Sequence, residues 1–124
     1  MSLKSRLAAD ETLITYPVPD EMLDVMKHCL TPAGINPKRR TAELTVAILQ
    51  LVASGRGIAA LPAWTVGNYI ERGYVVSRAI GAEGLRCELY AATTGAGAEA
   101  SYIKEFVALT RSQSLTELAG VSAM

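Results

Sequence analysis

The sequence predicts one α/β domain with a mixed, mostly parallel sheet and helices on both faces. Short apolar segments of strand length alternate along the chain with longer segments whose apolar residues recur at helical spacing. In addition, the run L-V-A-S-G-R-G-I-A-A-L-P-A-W from Leu51 to Trp64 predicts a helix end, a glycine turn and a short buried strand in succession. With 124 residues, the chain is long enough to bury one core.

A strand and a helix are predicted near the start of the chain. Residues 11–16 alternate polar and apolar side chains before Pro17, as expected of a strand. The sequence Pro19-Asp20-Glu21 then places a helix-compatible proline and two acids at a helix start. The apolar face of this helix is predicted to contain Met22, Leu23, Met26 and Leu30.

The middle of the chain predicts two strands around one buried helix. Three turn-forming residues end the preceding helix: Pro32, Gly34 and Pro37. A strand is predicted at residues 39–44, followed by a helix at 45–54 that is apolar nearly all round and therefore suited to a place between layers. Gly55 closes that helix, and the apolar residues 58–61 form a strand that Pro62 ends.

The second half continues the alternation. A short helix at residues 65–72 ends at Gly73, and residues 74–80 and 86–93 are predicted strands separated by a turn at Gly81 and Gly84. A last helix is predicted at residues 98–111. Its apolar stripe contains Ile103, Phe106, Val107 and Thr110.

The charge balance argues against a stand-alone nucleic-acid binder. Twelve basic residues are matched by twelve acidic ones, so there is no net charge to attract a polyanion. The one basic cluster, Lys38-Arg39-Arg40, is predicted to be a solvated turn before a strand. No apolar run reaches the roughly 18 residues of a membrane span, and no leader opens the chain, so a cytoplasmic location is expected.

Candidate catalytic and metal-binding groups are sparse. Cys29 and Cys87 have neither disulfide density nor metal-site spacing, and both are interpreted as small buried apolar residues. His28 is interpreted as a partly exposed helix residue. The segment G-R-G-I-A-A at 55–60 matches a dinucleotide fingerprint in letters, but here the glycines follow a helix and open a strand, the reverse of the required order. No enzyme, metal or cofactor is therefore predicted.

Three segments resemble the effector-binding domain of LysR-type transcriptional regulators. They are E-T-L-I-T-Y-P at residues 11–17, R-T-A-E-L-T-V-A-I-L-Q-L-V-A-S-G-R-G-I-A-A-L-P-A-W at 40–64, and L-Y-A-A-T-T at 89–94 with the helix that follows. Within that family, the segments are most similar to the subgroup that regulates methionine biosynthesis. The resemblance implies a type 2 periplasmic-binding-protein-like subdomain.

The resemblance also implies that the chain is a fragment of a larger regulator. Residues 1–6 are interpreted as a vector remnant or linker, and residues 7–111 as the second effector-binding subdomain plus the C-terminal strand and helix of the first. Residues 112–124 are expected to be a flexible tail. Family members reach DNA through an N-terminal winged helix-turn-helix, which this chain is expected to lack. Strand edges left open by the missing part favour a dimer or a swapped assembly.

The ligand site is predicted at the carboxyl ends of the first two strands, where helix N-termini direct free N–H groups at an anion. Thr15 and Tyr16 end the first strand, while Glu43 and Thr45 lie between the second strand and the buried helix. Thr45 could cap the helix with its hydroxyl or contact the ligand. Thr15 and Tyr16 could instead be only the end of a strand, without a ligand role. Pro62 is included as a candidate contact, although its role could be to shape a turn, as could that of Trp64.

These five residues are the candidate contacts for a small amino-acid-like effector, and the resemblance implies a ligand contact at the position of Thr45. For the methionine subgroup, homocysteine is the expected effector. Its carboxylate suits the helix N-terminus at Thr45. A fragment of a periplasmic-type solute-binding protein, which shares the fold, is the alternative. That alternative requires an export signal and a much longer chain.

Overall fold

The computed structural model describes residues 2–8 and 10–124, with the backbone alone at Ala8, so Met1 of the proposed vector remnant lies outside the described residues. Its regular elements are α1 (Leu3–Ala8), β1 (Thr12–Thr15), β2 (Lys38–Thr41), α2 (Thr45–Ala53), α3 (Ala63–Glu71) and α4 (Ser101–Glu117). Single turns of 3-10 helix occur at Asp20–Met22 and Gly97–Glu99, and a π-helical turn at Met26–Leu30.

The described chain divides into two compact units where the sequence predicts one domain. Residues up to 61 and residues 68–87 form the first unit, and residues 62–67 and 88–124 form the second. Among the described residues, the second unit has one buried side chain, that of Val66. All other buried side chains of the described residues belong to the first unit. Apolar burial, the main stabilising term in folding, is therefore concentrated in the first unit.

Strand β1 is the centre of a small parallel sheet. It pairs with β2 in parallel, with Thr12 opposite Lys38 and Thr15 opposite Thr41. On its other side, the Ile14 N–H donates to the Ile58 carbonyl at 2.8 Å, and the Ile58 N–H donates to the Thr12 carbonyl at 2.9 Å. The α/β prediction is thus confirmed for helices and a parallel sheet, although the sheet has only two full strands in the described residues.

The glycine turn after α2 forms as predicted. The Gly55 N–H donates to the Val52 carbonyl and the Arg56 N–H to the Leu51 carbonyl, each at 3.0 Å. With φ at +77° for Gly55, these bonds make a Schellman motif that satisfies the last carbonyls of the helix. α2 ends one residue before the predicted end, and the chain turns directly into the bridge at Ile58.

The core of the first unit lies between β1 and the segment that follows it. Leu13 and Leu30 are fully buried, and they cluster with Leu7 of α1 and with Val25 and Met26. The predicted helix after Asp20 is interrupted, because residue 23 is extended between the 3-10 turn and the next helical turns. This break changes the helical phase, so Met22, predicted on the apolar face, is 70% exposed.

Several predicted strands are wrong. Residues 74–80 and 86–93 join no ladder in the part of the chain that is described, and Val76 is 91% exposed. Of residues 58–61, only Ile58 makes a bridge. The predicted strand at 39–44 ends at Thr41. β-branched composition favours a half-buried pleated surface, and where no neighbouring strand supplies one the backbone stays unpaired.

Two helices differ from the sequence prediction in their faces or ends. In α2, Ile48 and Leu49 are buried but Val46 is 54% exposed, so the helix buries one face instead of lying between layers. α4 continues to Glu117, past the predicted end at Arg111. Its predicted apolar stripe is also too wide, because Ile103 and Val107 are half-buried whereas Phe106 and Thr110 are exposed.

Candidate functional site

The parallel pairing of β1 and β2 brings their carboxyl ends to one edge. Thr15 lies opposite Thr41, and the Ala42 N–H donates to the Thr15 carbonyl at 3.0 Å. Helix α2 then begins at Thr45, four residues after β2 ends. The Tyr16 hydroxyl makes a hydrogen bond with the Thr45 hydroxyl. The structure therefore brings together three of the five predicted site residues.

Thr15 is the most buried of the three. Its side chain is 5% exposed, and its hydroxyl donates to the Tyr16 carbonyl at 3.0 Å. The same oxygen accepts a hydrogen bond from Arg39 Nη2 at 3.2 Å. Thr15 is thus more than a strand end, because its hydroxyl links two strands.

Thr45 does not cap α2. Leu44 is the N-cap residue, and no side chain caps the helix. The first carbonyl bond of the helix joins the Ile48 N–H to the Leu44 carbonyl, so the N–H groups of residues 45–47 precede it. These N–H groups form the positive end of the helix, which favours an anion. The sequence allowed two roles for Thr45, and the structure excludes the role of helix cap.

Glu43 and Pro62 are placed differently. Glu43 is exposed and lies two residues before α2, and it forms no ion pair within the described residues. Pro62 belongs to the second unit, where its carbonyl accepts hydrogen bonds from the Thr65 hydroxyl at 2.8 Å and the Thr65 N–H at 3.0 Å. These bonds start α3, which agrees with the turn-shaping role for Pro62.

Arg39 contacts Thr15 at the same edge, and it was not among the candidate residues predicted from the sequence. The cluster Lys38-Arg39-Arg40 forms part of β2, so its interpretation as a turn before the strand is wrong. Arg39 Nη1 donates to Asp20 Oδ1 at 2.8 Å, and the Arg39 side chain is 25% exposed. Its Nε is buried and has no hydrogen-bond partner among the described residues. Strand alternation could have indicated this residue, because it directs the side chain of Arg39 to the face of the strand opposite the exposed side chains of Lys38 and Arg40.

The cysteines and His28 do not form a reactive site. Cys29 is half-buried against the core, but Cys87 is exposed, so its interpretation as a buried residue is wrong. Partial burial of the sulfur, together with a hydrogen bond and the negative charge of Asp24, raises the pKa of the Cys87 thiol, which therefore stays protonated at neutral pH. His28 is exposed as predicted, and Asp24 lies 3.9 Å from its Nε2, a partner that sequence reasoning overlooked.

The described residues contain neither a metal-binding cluster nor a membrane-spanning helix. No group of three or more His, Cys, Asp or Glu side chains is arranged to hold a metal ion in residues 2–8 and 10–124. Across the same residues, every helix is too short or too polar to cross a bilayer.

Comparison with known proteins places these features in a family. The family model for the LysR substrate binding domain matches residues 5–114. The chain belongs to this family. Among curated relatives, the HTH-type transcriptional regulator MetR of Haemophilus influenzae is 50% identical over 115 residues, which cover 93% of the chain. MetR of Escherichia coli K12 is 46% identical over 84 residues, which cover 68% of the chain.

Two solved structures of a related regulatory domain are also similar to this chain. The regulatory domain of MetR from N. meningitidis, in a double cysteine-to-serine mutant, is 52% identical and superposes with a TM-score of 0.85 over 99% of the chain. A second structure of that domain is 56% identical, with a TM-score of 0.81 over 92% of the chain. The chain covers 37% and 26% of the two curated relatives and 58% and 53% of the solved domains. The family match favours the regulator over the solute-binding alternative.

Proposed function

We propose that the chain is the ligand-sensing part of a cytoplasmic LysR-type regulator that binds homocysteine and controls the transcription of methionine-biosynthesis genes. The observation that carries the proposal is the convergence of Thr15, Tyr16 and Thr45 at the carboxyl ends of β1 and β2, beside the N-terminus of α2. The identity of 50% to a MetR protein supports the choice of effector class. DNA contact and homo-oligomer formation belong to the proposed whole regulator.

The chemistry of the edge suits a small amino acid. A carboxylate bound at the first turn of α2 accepts hydrogen bonds from the N–H groups of residues 45–47. The Tyr16 and Thr45 hydroxyls bond to each other, so one of their two O–H groups remains to donate to the ligand. The exposed carboxylate of Glu43 is available for an ammonium group. Exposed Leu44 and Val46 offer apolar surface for a short side chain.

The proposed regulator also has a defined domain organisation. Residues 7–111 are assigned to the second effector-binding subdomain together with the last strand and helix of the first. The effector of the proposed regulator binds in a cleft between its two subdomains. When the effector binds, the cleft closes, and this closure changes how the subunits of the proposed regulator pack on DNA.

We expect Thr45→Ala to weaken homocysteine binding by about tenfold, because one hydrogen bond to a charged group contributes roughly 1.5–3 kcal/mol and part of it is replaced by water. Isothermal titration calorimetry on the complete gene product measures the dissociation constant. Thr31→Ala is the matched control, because Thr31 is an exposed threonine in the turn after the π-helical segment. Equal affinity of the wild type and Thr45→Ala excludes Thr45 from the site.

A further inference from the structure

We infer that Arg39 is the charged anchor for the carboxylate of the ligand, and that Asp20 occupies this guanidinium while no ligand is bound. The inference rests on the proposed function, and it adds a recognition residue and an exchange of partners. Arg39 and Asp20 lie 19 positions apart in the sequence, in β2 and in the turn that follows β1.

The guanidinium of Arg39 lies at the predicted ligand edge. Arg39 Nη2 donates to the hydroxyl of Thr15, the residue that ends β1, at 3.2 Å. Arg39 is three-quarters buried, which limits competition from water for its hydrogen bonds. A guanidinium in such a place binds carboxylates through two parallel N–H groups.

The same guanidinium has unused donor capacity. Arg39 Nη1 bonds to one oxygen of Asp20, and the bond from Nη2 to the neutral Thr15 hydroxyl is longer. Nε is buried without a partner in the described residues. Buried donors of a charged group are normally satisfied, so this one leaves the guanidinium incompletely bonded in the present state. A ligand carboxylate can bind Nη1 and Nη2 together, which gives the guanidinium two charge-assisted bonds where Asp20 gives it one.

Asp20 can leave the guanidinium at low cost. Its side chain is 53% exposed, and the 3-10 turn that carries it, Asp20–Met22, contains no buried residue. Release of Asp20 therefore exposes little apolar surface and returns its carboxylate to water. The exchange replaces one carboxylate by another on the same guanidinium, so it leaves no unpaired charge at the buried end.

The test is a set of titrations on the complete gene product with two probes, L-homocysteine and 3-aminopropane-1-thiol, which is the same molecule without its carboxylate. We expect Asp20→Asn to tighten the binding of L-homocysteine by about fivefold, because the competing carboxylate is removed. The carboxylate-free probe should show no such gain. Glu21→Gln is the matched control, because it removes the same charge from the same exposed turn.

Arg39→Gln should weaken binding of L-homocysteine at least tenfold, and Asp20→Asn should then have no further effect in the Arg39→Gln background. Thermal unfolding of each variant separates a binding effect from loss of the fold. If the wild type binds and Thr45→Ala weakens binding, but Asp20→Asn equals the wild type or Glu21→Gln tightens binding as much, the exchange is wrong and the proposed function stands. If the wild type does not bind L-homocysteine, the proposed function and the exchange both fail.

Discussion

Replacing Gly57 with alanine should lower the free energy of unfolding by about 3 kcal/mol, the upper part of the usual range for overpacking. An added Cβ would lie 2.5 Å from the Thr12 carbonyl oxygen and 3.1 Å from side-chain atoms of Ile14. That carbonyl belongs to β1 and accepts the hydrogen bond of the Ile58 N–H. It cannot move aside without disturbing the pairing of β1 with Ile58. Urea unfolding followed by circular dichroism measures the loss.

Gly55→Ala is the control for this experiment. Gly55 has φ at +77°, and an added methyl group there would meet open space, so alanine incurs only the left-handed backbone penalty of about 1 kcal/mol. Both glycines have a positive φ, so the difference between the two variants reports the steric collision at Gly57. A Gly57→Ala variant as stable as Gly55→Ala would show that the turn does not pack against β1 in this way.

Replacing Leu30 with alanine should lower the free energy of unfolding by about 3 kcal/mol, within the range measured for buried leucines. Leu30 is fully buried in the cluster that contains Leu13 and Met26. Its removal leaves a cavity that the short helical turns around it can fill only in part. Equilibrium unfolding in urea again gives the value.

The control for the core variant is Leu44→Ala, because Leu44 is 68% exposed in the same unit. A surface change of this kind is usually within about 0.5 kcal/mol. If Leu30→Ala were as mild as Leu44→Ala, the segment around Leu30 would not be packed on β1.

The local features of the chain could be predicted because their causes are local. The N–H groups of Gly55 and Arg56 close α2 by donating to carbonyls three and five positions earlier, respectively, so the sequence alone contains the signal. The pattern at residues 11–16 likewise predicts β1, which lies at Thr12–Thr15. These elements place Thr15 and Thr45 at one edge, so part of the candidate site follows from them.

The rest depends on contacts that are distant in sequence. Arg39 was missed because its partner Asp20 lies in another element, and no spacing rule joins a strand to a preceding turn. Residues 74–80 have strand composition, yet pairing requires a neighbouring strand that composition does not specify. Met22 was misplaced because one extended residue shifts the helical phase.

The most direct test of the proposed ligand site is a crystal structure of the complete gene product grown with L-homocysteine. We predict electron density for its carboxylate within hydrogen-bond distance of the first N–H groups of α2 and of the Arg39 guanidinium, with the Thr45 hydroxyl as a further contact. Density for the ligand elsewhere in the protein, with this edge unchanged, would contradict the account.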